Sequence, residues 1–241
     1  MGRVHCNRPA TVFQRKSVIQ PMAPASEPQT DEMPVSGQKL DIAPGVRLLS
    51  GALDAPAQTA LLAEIRKISG KAPLYTPTMP RTGKPWTVRM TNCGPLGWVS
   101  DRSGYRYQPE HPETGKPWPA IPQMLLDLWD ETTGYPAPPE CCLVNFYADN
   151  ARMGLHRDED EEALDAPVLS VSLGDTATFR LGGLERKGKT RSFKLMSGDV
   201  LLIGGDNRLA YHGIDRVFPN TSTLLKDGGR INLTLRRVTK P

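Results

Sequence analysis

The sequence predicts an α+β chain that is mainly β: two helices followed by a sandwich or barrel of short strands. Three observations carry this reading. Seven short runs with strand character, separated by turn residues, occupy residues 141–238. Two amphipathic segments with helix start and stop signals lie ahead of them. The length, 241 residues, suits one domain of generous size with a tail, and no repeat of fixed period is present. The 23 prolines and 22 glycines supply many loops, while 38% hydrophobic content still suffices for a core. No window approaches 18 continuous apolar residues, which excludes a helical membrane span. The composition also excludes a collagen, a coiled coil and a disulfide scaffold. A net charge of +4 permits a nucleic-acid partner without demanding one.

In chain order, residues 1–39 read as a disordered tail, because the stretch from Gln20 to Gln38 is proline-rich, polar and without apolar period. The apolar core of a secretory signal is missing there, and Cys6 stands where N-myristoylation needs Ser or Thr. The ordered domain, residues 40–241, opens near Leu40. Asp54 caps a first helix with Pro56 in its first turn, and Leu61, Leu62, Ile65 and Ile68 form its buried face. Residues 71–118 are rich in Pro, Gly and aromatics with weak periodicity, which reads as long loops and short strands. A second helix runs from Pro122 to Thr133, with Met124, Leu125, Leu128 and Trp129 inward and Gly134 as its stop. Strands follow at 141–148, 167–174, 177–183, 191–195, 199–205, 208–214 and 230–238. The cysteines, Cys6, Cys93, Cys141 and Cys142, include no CxxC pair, so a structural zinc site is not expected. Burial in a strand accounts for Cys141 and Cys142, and this cysteine usage fits a reducing, cytoplasmic setting.

The chemistry concentrates in few residues. Of four histidines, His156 belongs to an HxD with Asp158, and His212 follows a strand-like run. On a strand, positions i and i+2 share a face, so His156 and Asp158 can reach one metal. Two imidazoles and a carboxylate make a facial set for Fe(II), with the opposite face open to substrate and oxygen. HxD alone is a weak signal, and His156 by itself reads equally as a surface histidine beside an acidic run. The C-terminal strand strengthens the case: Arg230, Asn232, Thr234 and Arg236 alternate with Ile231, Leu233 and Leu235. If that polar face looks into a barrel, its arginines need anions. The strand spans about 20 Å; two arginines leaning together leave a gap of about 7 Å, which fits a five-carbon diacid held by planar forks. Asn145 and Tyr147 share a face of another strand and offer further donors. Iron plus a dicarboxylate points to a 2-oxoglutarate oxygenase.

The stretches TNCGPLGW (91–98), SGYRYQPEHPETGKPWPAIP (103–122), CLVNFYADNARMGLHRDEDE (142–161), LSVSLG (169–174), FRLGGLER (179–186), GDVLLIGGDNRLAYHGI (198–214) and RINLTLR (230–236) resemble the AlkB family of DNA and RNA dealkylating dioxygenases, closest to its bacterial members. The resemblance covers residues 45–238. It implies a double-stranded β-helix, or jelly roll, over about 141–238, with flanking helices and a nucleotide-recognition lid over about 71–118. It implies His156, Asp158 and His212 as iron ligands, with Asp158 the one on which catalysis turns, and Asn145, Tyr147, Arg230, Asn232 and Arg236 as 2-oxoglutarate contacts. It places Trp98 and Tyr105 in the lid and Asp160 near the damaged base. One departure is Ile203, where bacterial members carry Trp before the Gly-Gly; it is expected to alter packing on the lid side or the shape of the pocket. The resemblance implies oxidative demethylation of bases such as 1-methyladenine and 3-methylcytosine. Fe(II), O2 and 2-oxoglutarate are consumed or held, and succinate, CO2 and formaldehyde released, in direct reversal of alkylation damage.

The residues themselves support a nucleic-acid partner less strongly than the metal. Arg186, Lys187, Lys189, Arg191 and Lys194 make a basic loop, in which Arg186 is the candidate substrate contact. Lys84, Arg89, Arg102, Arg106 and Lys116 interleave with Trp86, Trp98, Tyr105, Tyr107 and Trp118. Basic groups meet phosphates and aromatics stack on an unstacked base, but solvated charges around structural aromatics would look the same. The run Asp158–Glu162 reads by default as a solvated acidic turn. The expected partner is single-stranded or duplex DNA, with RNA open, bound by a monomer and with no membrane. An oxygenase of the same fold acting on protein or a small molecule, or a non-catalytic metal-holding jelly roll, remains open on the residues alone.

Overall fold

The computed structural model describes residues 1–2, 37–148 and 150–241. The chain divides into two units, Met1–Met33 and Pro34–Pro241, and the described residues beyond Gly2 all belong to the second. The expected disordered tail, with His5 and Cys6, therefore falls almost wholly outside the described residues.

The second unit opens with a hairpin that the sequence reading did not anticipate, β1 (Gln38–Ala43) and β2 (Val46–Ser50). Gly45 turns it at φ +71°, where a Cβ would meet the Gly204 carbonyl oxygen at 2.1 Å, so only glycine fits. Helix α1 (Ala55–Lys71) begins as expected: the Asp54 carboxylate accepts from the Ala57 N–H at 2.9 Å, and Leu61, Leu62, Ile65 and Ile68 are buried. The loop-rich stretch that follows holds β3 (Arg89–Cys93) and a hairpin of β4 (Gly97–Asp101) and β5 (Gly104–Gln108). Helix α2 (Gln123–Thr133) stops at Gly134, whose φ of +62° gives the left-handed cap. Then come β6 (Cys141–Tyr147), β7 (Met153–His156), β8 (Val168–Gly174), β9 (Ala177–Leu181), β10 (Arg191–Leu195), β11 (Val200–Ile203), β12 (His212–Val217) and β13 (Arg230–Arg236).

Two antiparallel sheets carry the architecture. The larger has order β1-β2-β11-β8-β13-β6-β3, the smaller β10-β9-β12-β7. β3 thus closes the edge of the large sheet, so the part of residues 71–118 that stands apart as a hairpin is β4–β5. Alternation along the central strands gives the large sheet two buried faces. On one face Cys142, Val144, Leu169, Val171, Leu173, Ile231, Leu233 and Leu235 pack with both helices, through side chains such as Leu61, Ile65, Leu125 and Trp129. On the other, Leu48, Leu143, Tyr147, Leu201 and Ile203 meet Met153, Phe179, Leu181, Ile214 and Val217 of the small sheet. Ile203 is a buried residue between the sheets, in the cluster against which Trp86, Trp98 and Tyr107 pack. Cys141 shares this interior, and burial pushes its thiol up to about 12, so it is an inert packing residue. Among the described residues no helix is long and apolar enough to cross a membrane.

Candidate active site

β13 is fully buried, so its alternation settles where the polar face looks. Ile231, Leu233 and Leu235 pack toward the helices. Arg230, Asn232, Thr234 and Arg236 therefore face the space between the sheets. In register they lie opposite Tyr147, Asn145, Leu143 and Cys141 of β6.

The small sheet supplies the metal set. His212 opens β12 and pairs directly with His156, the last residue of β7. Their rings lie 4.5 Å apart, and His212 stacks on Phe179 at 5.7 Å and 14°. Both Nδ1 atoms bond to backbone carbonyls, His156 to Gly154 at 3.0 Å and His212 to Ala210 at 2.9 Å. That leaves each Nε2 with its lone pair for a metal. One donor atom each from His156, Asp158 and His212 lies within 4.8 Å of the others. β7 ends at His156, so Asp158 reaches the site from the following loop and not by strand parity. Burial alone would raise the Asp158 pKa, but Arg236 and the two histidines outweigh it and hold the carboxyl well below the usual range. Burial, then His156, lower His212 to about 4. An ionised carboxylate and two imidazoles whose donor atoms lie this close together suit Fe(II).

The two arginines do not form the symmetrical clamp expected from the sequence. Arg236 donates from Nε and Nη2 to the two oxygens of Asp158, at 3.1 and 3.0 Å, and lies 3.5 Å from Glu161. Its charge is already met. Arg230 is 1% exposed, donates from Nη2 to Ser172 Oγ at 3.0 Å, and lies over the Tyr147 ring at 5.2 Å. No carboxylate pairs with it among the described residues, and burial lowers its pKa. Arg230 Nε and Nη1, Arg236 Nη1 and Asn145 Oδ1 are buried without hydrogen-bond partners among the described residues. A buried, uncompensated guanidinium is costly. A dicarboxylate with one end on Arg230 accepts from its unpartnered N–H groups and meets its charge, so the residues fit 2-oxoglutarate. Asn232 is spent on neighbours: it donates to Ser170 Oγ at 2.7 Å and accepts from Thr234 Oγ1 at 2.9 Å, which orients Asn145 beside it.

The β4–β5 hairpin brings the aromatic candidates together. Trp98 and Tyr105 stack at 5.5 Å and 18°, with Trp86 edge-on to Trp98 at 6.1 Å. Trp98 Nε1 donates to Asp160 Oδ2 at 2.8 Å, which ties the hairpin to the loop after Asp158. The acidic run is not a solvated turn throughout, since Asp158 and Glu161 are buried. Glu161 accepts from Tyr107 Oη and pairs with Arg208 at 3.1 Å. Arg208 also donates to the Asp158 carbonyl at 2.8 Å. Sequence reasoning missed Glu161 and Arg208; a lone arginine inside the apolar run RLAYHGI was the available signal for the second. Arg186 is exposed on the β9–β10 loop. His111 lies elsewhere: Nε2 bonds to the Pro73 carbonyl at 2.8 Å, and Nδ1 accepts from two backbone N–H groups of its own turn.

Iron-dependent oxidation with a diacid cosubstrate is the class of chemistry that this fold and site define. Residues 45–236 match the 2OG-Fe(II) oxygenase superfamily. The chain is 52% identical over 198 residues to the alpha-ketoglutarate-dependent dioxygenase AlkB homolog of Caulobacter vibrioides, covering 82% of this chain and 90% of that one. It is 42% identical over 188 residues to the alpha-ketoglutarate-dependent dioxygenase AlkB of Escherichia coli, covering 76% and 86%. The solved structure of OsALKBH1 superimposes with a TM-score of 0.74 at 30% identity, over 83% of this chain and all of that one. The chain belongs to the AlkB family of Fe(II)/2-oxoglutarate-dependent dioxygenases, whose chemistry uses Fe(II), 2-oxoglutarate and O2.

Proposed function

We propose that this dioxygenase removes N-alkyl groups from bases of nucleic acid by oxidation, releasing formaldehyde from methyl lesions, as a direct reversal of alkylation damage. The observation that carries the reading is the Trp98–Tyr105 stack, fixed through Asp160 two residues from Asp158. Flat aromatic rings beside an iron set suit a base taken out of its stack. Tyr105 is half exposed and free to meet a nucleotide.

In this reading His156, Asp158 and His212 hold Fe(II). Arg230 takes the distal carboxylate of 2-oxoglutarate, and Asn145, Tyr147 and Arg236 orient the rest. Asn232 acts through Asn145. With Fe(II) and 2-oxoglutarate held there, the site would supply O2-dependent oxidation of the N-alkyl carbon, with succinate and CO2 as coproducts. The protein contributes ligation, orientation and exclusion of water. Asp160 supplies negative charge next to the aromatic stack, which favours a ring made cationic by N-methylation, such as 1-methyladenine or 3-methylcytosine. Arg186 meets the phosphate backbone. The enzyme acts as a cytoplasmic monomer on single-stranded or duplex DNA, and on RNA where a base is accessible.

The test uses purified protein with Fe(II), 2-oxoglutarate and an oligonucleotide carrying 1-methyladenine, in DNA and RNA versions. Succinate and base mass are read together. Stoichiometric succinate with conversion to adenine is expected. Succinate formation with an unchanged base in both versions overturns the assignment of substrate.

A further inference from the structure

The outer face of the small sheet carries a charge pattern that the site chemistry does not use. Phe179, Leu181, Phe193 and Ile214 point into the sandwich, so their neighbours point away from it. In register, Lys194 and Arg216 flank Thr178, while Ser192 and Gly213 flank Arg180. Lys194 Nζ lies 3.2 Å from the Phe218 ring centroid and Arg216 Cζ 4.9 Å from the same centroid, and Lys194 donates to Thr178 Oγ1 at 3.0 Å. Neither cation pairs with a carboxylate among the described residues; Asp215, the nearby acid, is taken by Arg180 at 3.5 Å. Between 178 and 194 six cations face a single acid, Glu185, so this stretch alone exceeds the +4 of the whole chain. Like charges held around one ring repel, and an arrangement of this kind is relieved by an anion.

The strip runs along the strands that carry His212 but on their other face, and it ends at the β9–β10 loop beside that histidine. Leu181 pairs with His212, and the β9–β10 loop is bonded to the residue before His212 through Gly182 N–H to the Tyr211 carbonyl at 2.7 Å. From Leu181 to Thr178 is about 10 Å of strand, the rise of about three phosphates along a nucleic-acid strand. We infer that Lys194 and Arg216, held by Phe218 on the outer face of the small sheet, form a docking surface for the sugar–phosphate backbone of the substrate strand beyond the nucleotide at the metal. The inference rests on the nucleic-acid reading above. It makes affinity depend on strand length while the chemistry stays local.

The experiment compares full-length protein with the double variant Lys194→Gln, Arg216→Gln, and with Lys67→Gln on exposed α1 as a charge control. Two probes are used, a trinucleotide centred on 1-methyladenine and a single strand of several tens of nucleotides with the same base. The double variant is expected to bind the long strand on the order of tenfold more weakly, and to lower the slope of log affinity against log salt by about 1.4, two contacts at about 0.7 each. Trinucleotide turnover is expected to stay unchanged, as is the Lys67→Gln protein on both probes. An unchanged salt slope and long-strand affinity in the double variant overturn the inference. So does a wild-type protein that binds both probes equally. Failure of the wild-type protein to demethylate either probe would instead sink the functional reading.

Discussion

The Asp158 carboxylate accepts from both Nε and Nη2 of Arg236, whereas Arg230, on the same strand face, meets no acid among the described residues. The two arginines should therefore separate by variant. Arg230→Gln is expected to lose most affinity for 2-oxoglutarate, several kcal/mol on the scale of a charge-assisted pair, with little loss of fold stability. Arg236→Gln is expected to lower the unfolding temperature as well, because Asp158 and Glu161 stay buried without their cation; breaking such a pair costs about 3–5 kcal/mol. Calorimetric titration of the cosubstrate alongside thermal unfolding checks both, and equal destabilisation would mean that Arg230 is also met by an acid in the fold. Asp158→Ala is expected to abolish iron-dependent turnover and also to lower the unfolding temperature, since Arg236 loses its bidentate partner. A variant that keeps turnover with iron would place the metal elsewhere. His212 gives a pH test in the metal-free protein. Burial and His156 lower its pKa to about 4. The unfolded chain takes up that proton near 6.5, so between those values the unfolded state binds more protons and stability falls as pH falls. The loss reaches about 3 kcal/mol by pH 4. Asp158, held low, adds a further loss at still lower pH. Urea midpoints against pH should show the upper window in the wild-type protein and a flat line there in His212→Gln.

At the scale of elements, the β4–β5 hairpin is held to the core by side chains from the loop after β7. Trp98 donates to Asp160 and Tyr107 to Glu161. Asp160→Asn keeps an acceptor for Trp98 and removes the charge. It is expected to lower turnover of 1-methyladenine or 3-methylcytosine more than turnover of a neutral etheno adduct, because only a cationic ring gains from the carboxylate. Equal losses on the two substrates would give Asp160 a role in seating the hairpin alone. The small sheet shows the same dependence of one element on another. His212 is aimed by its pairing with His156 and by its stack on Phe179. Its chemistry is therefore set by β7 and β9 as much as by β12.

Over the whole molecule, the buried residues of the two core clusters run from Leu49 to Leu235 on the helix side and from Val46 to Val238 between the sheets. A chain starting at Gly37 is therefore expected to keep the unfolding temperature of the full chain and to turn over a short methylated oligonucleotide at the same rate. A fall of many degrees on truncation would show that residues 1–36 contribute to the folded domain.

The sequence by itself determined the elements whose signals are local. The Asp54 cap, the apolar faces of α1 and α2, the Gly134 stop and the strict alternation of β13 are each read within a few residues. The HxD and the later histidine are also legible in the chain, but only the fold brings donor atoms of His156, Asp158 and His212 within 4.8 Å of one another. Tertiary structure alone decided which charge meets which. Arg236 finds Asp158 across 78 residues of sequence, Glu161 in an acidic run is buried while Asp160 beside it is not, and Trp98 bonds to Asp160 from 62 residues away. β7 stops at His156, so strand parity could not place Asp158 or Asp160. A strand's period fixes the two faces of that strand, but the anion a buried cation meets depends on where a loop from elsewhere in the chain closes over it. Only the assembled sandwich holds that information, and it leaves Arg230 without a carboxylate partner among the described residues.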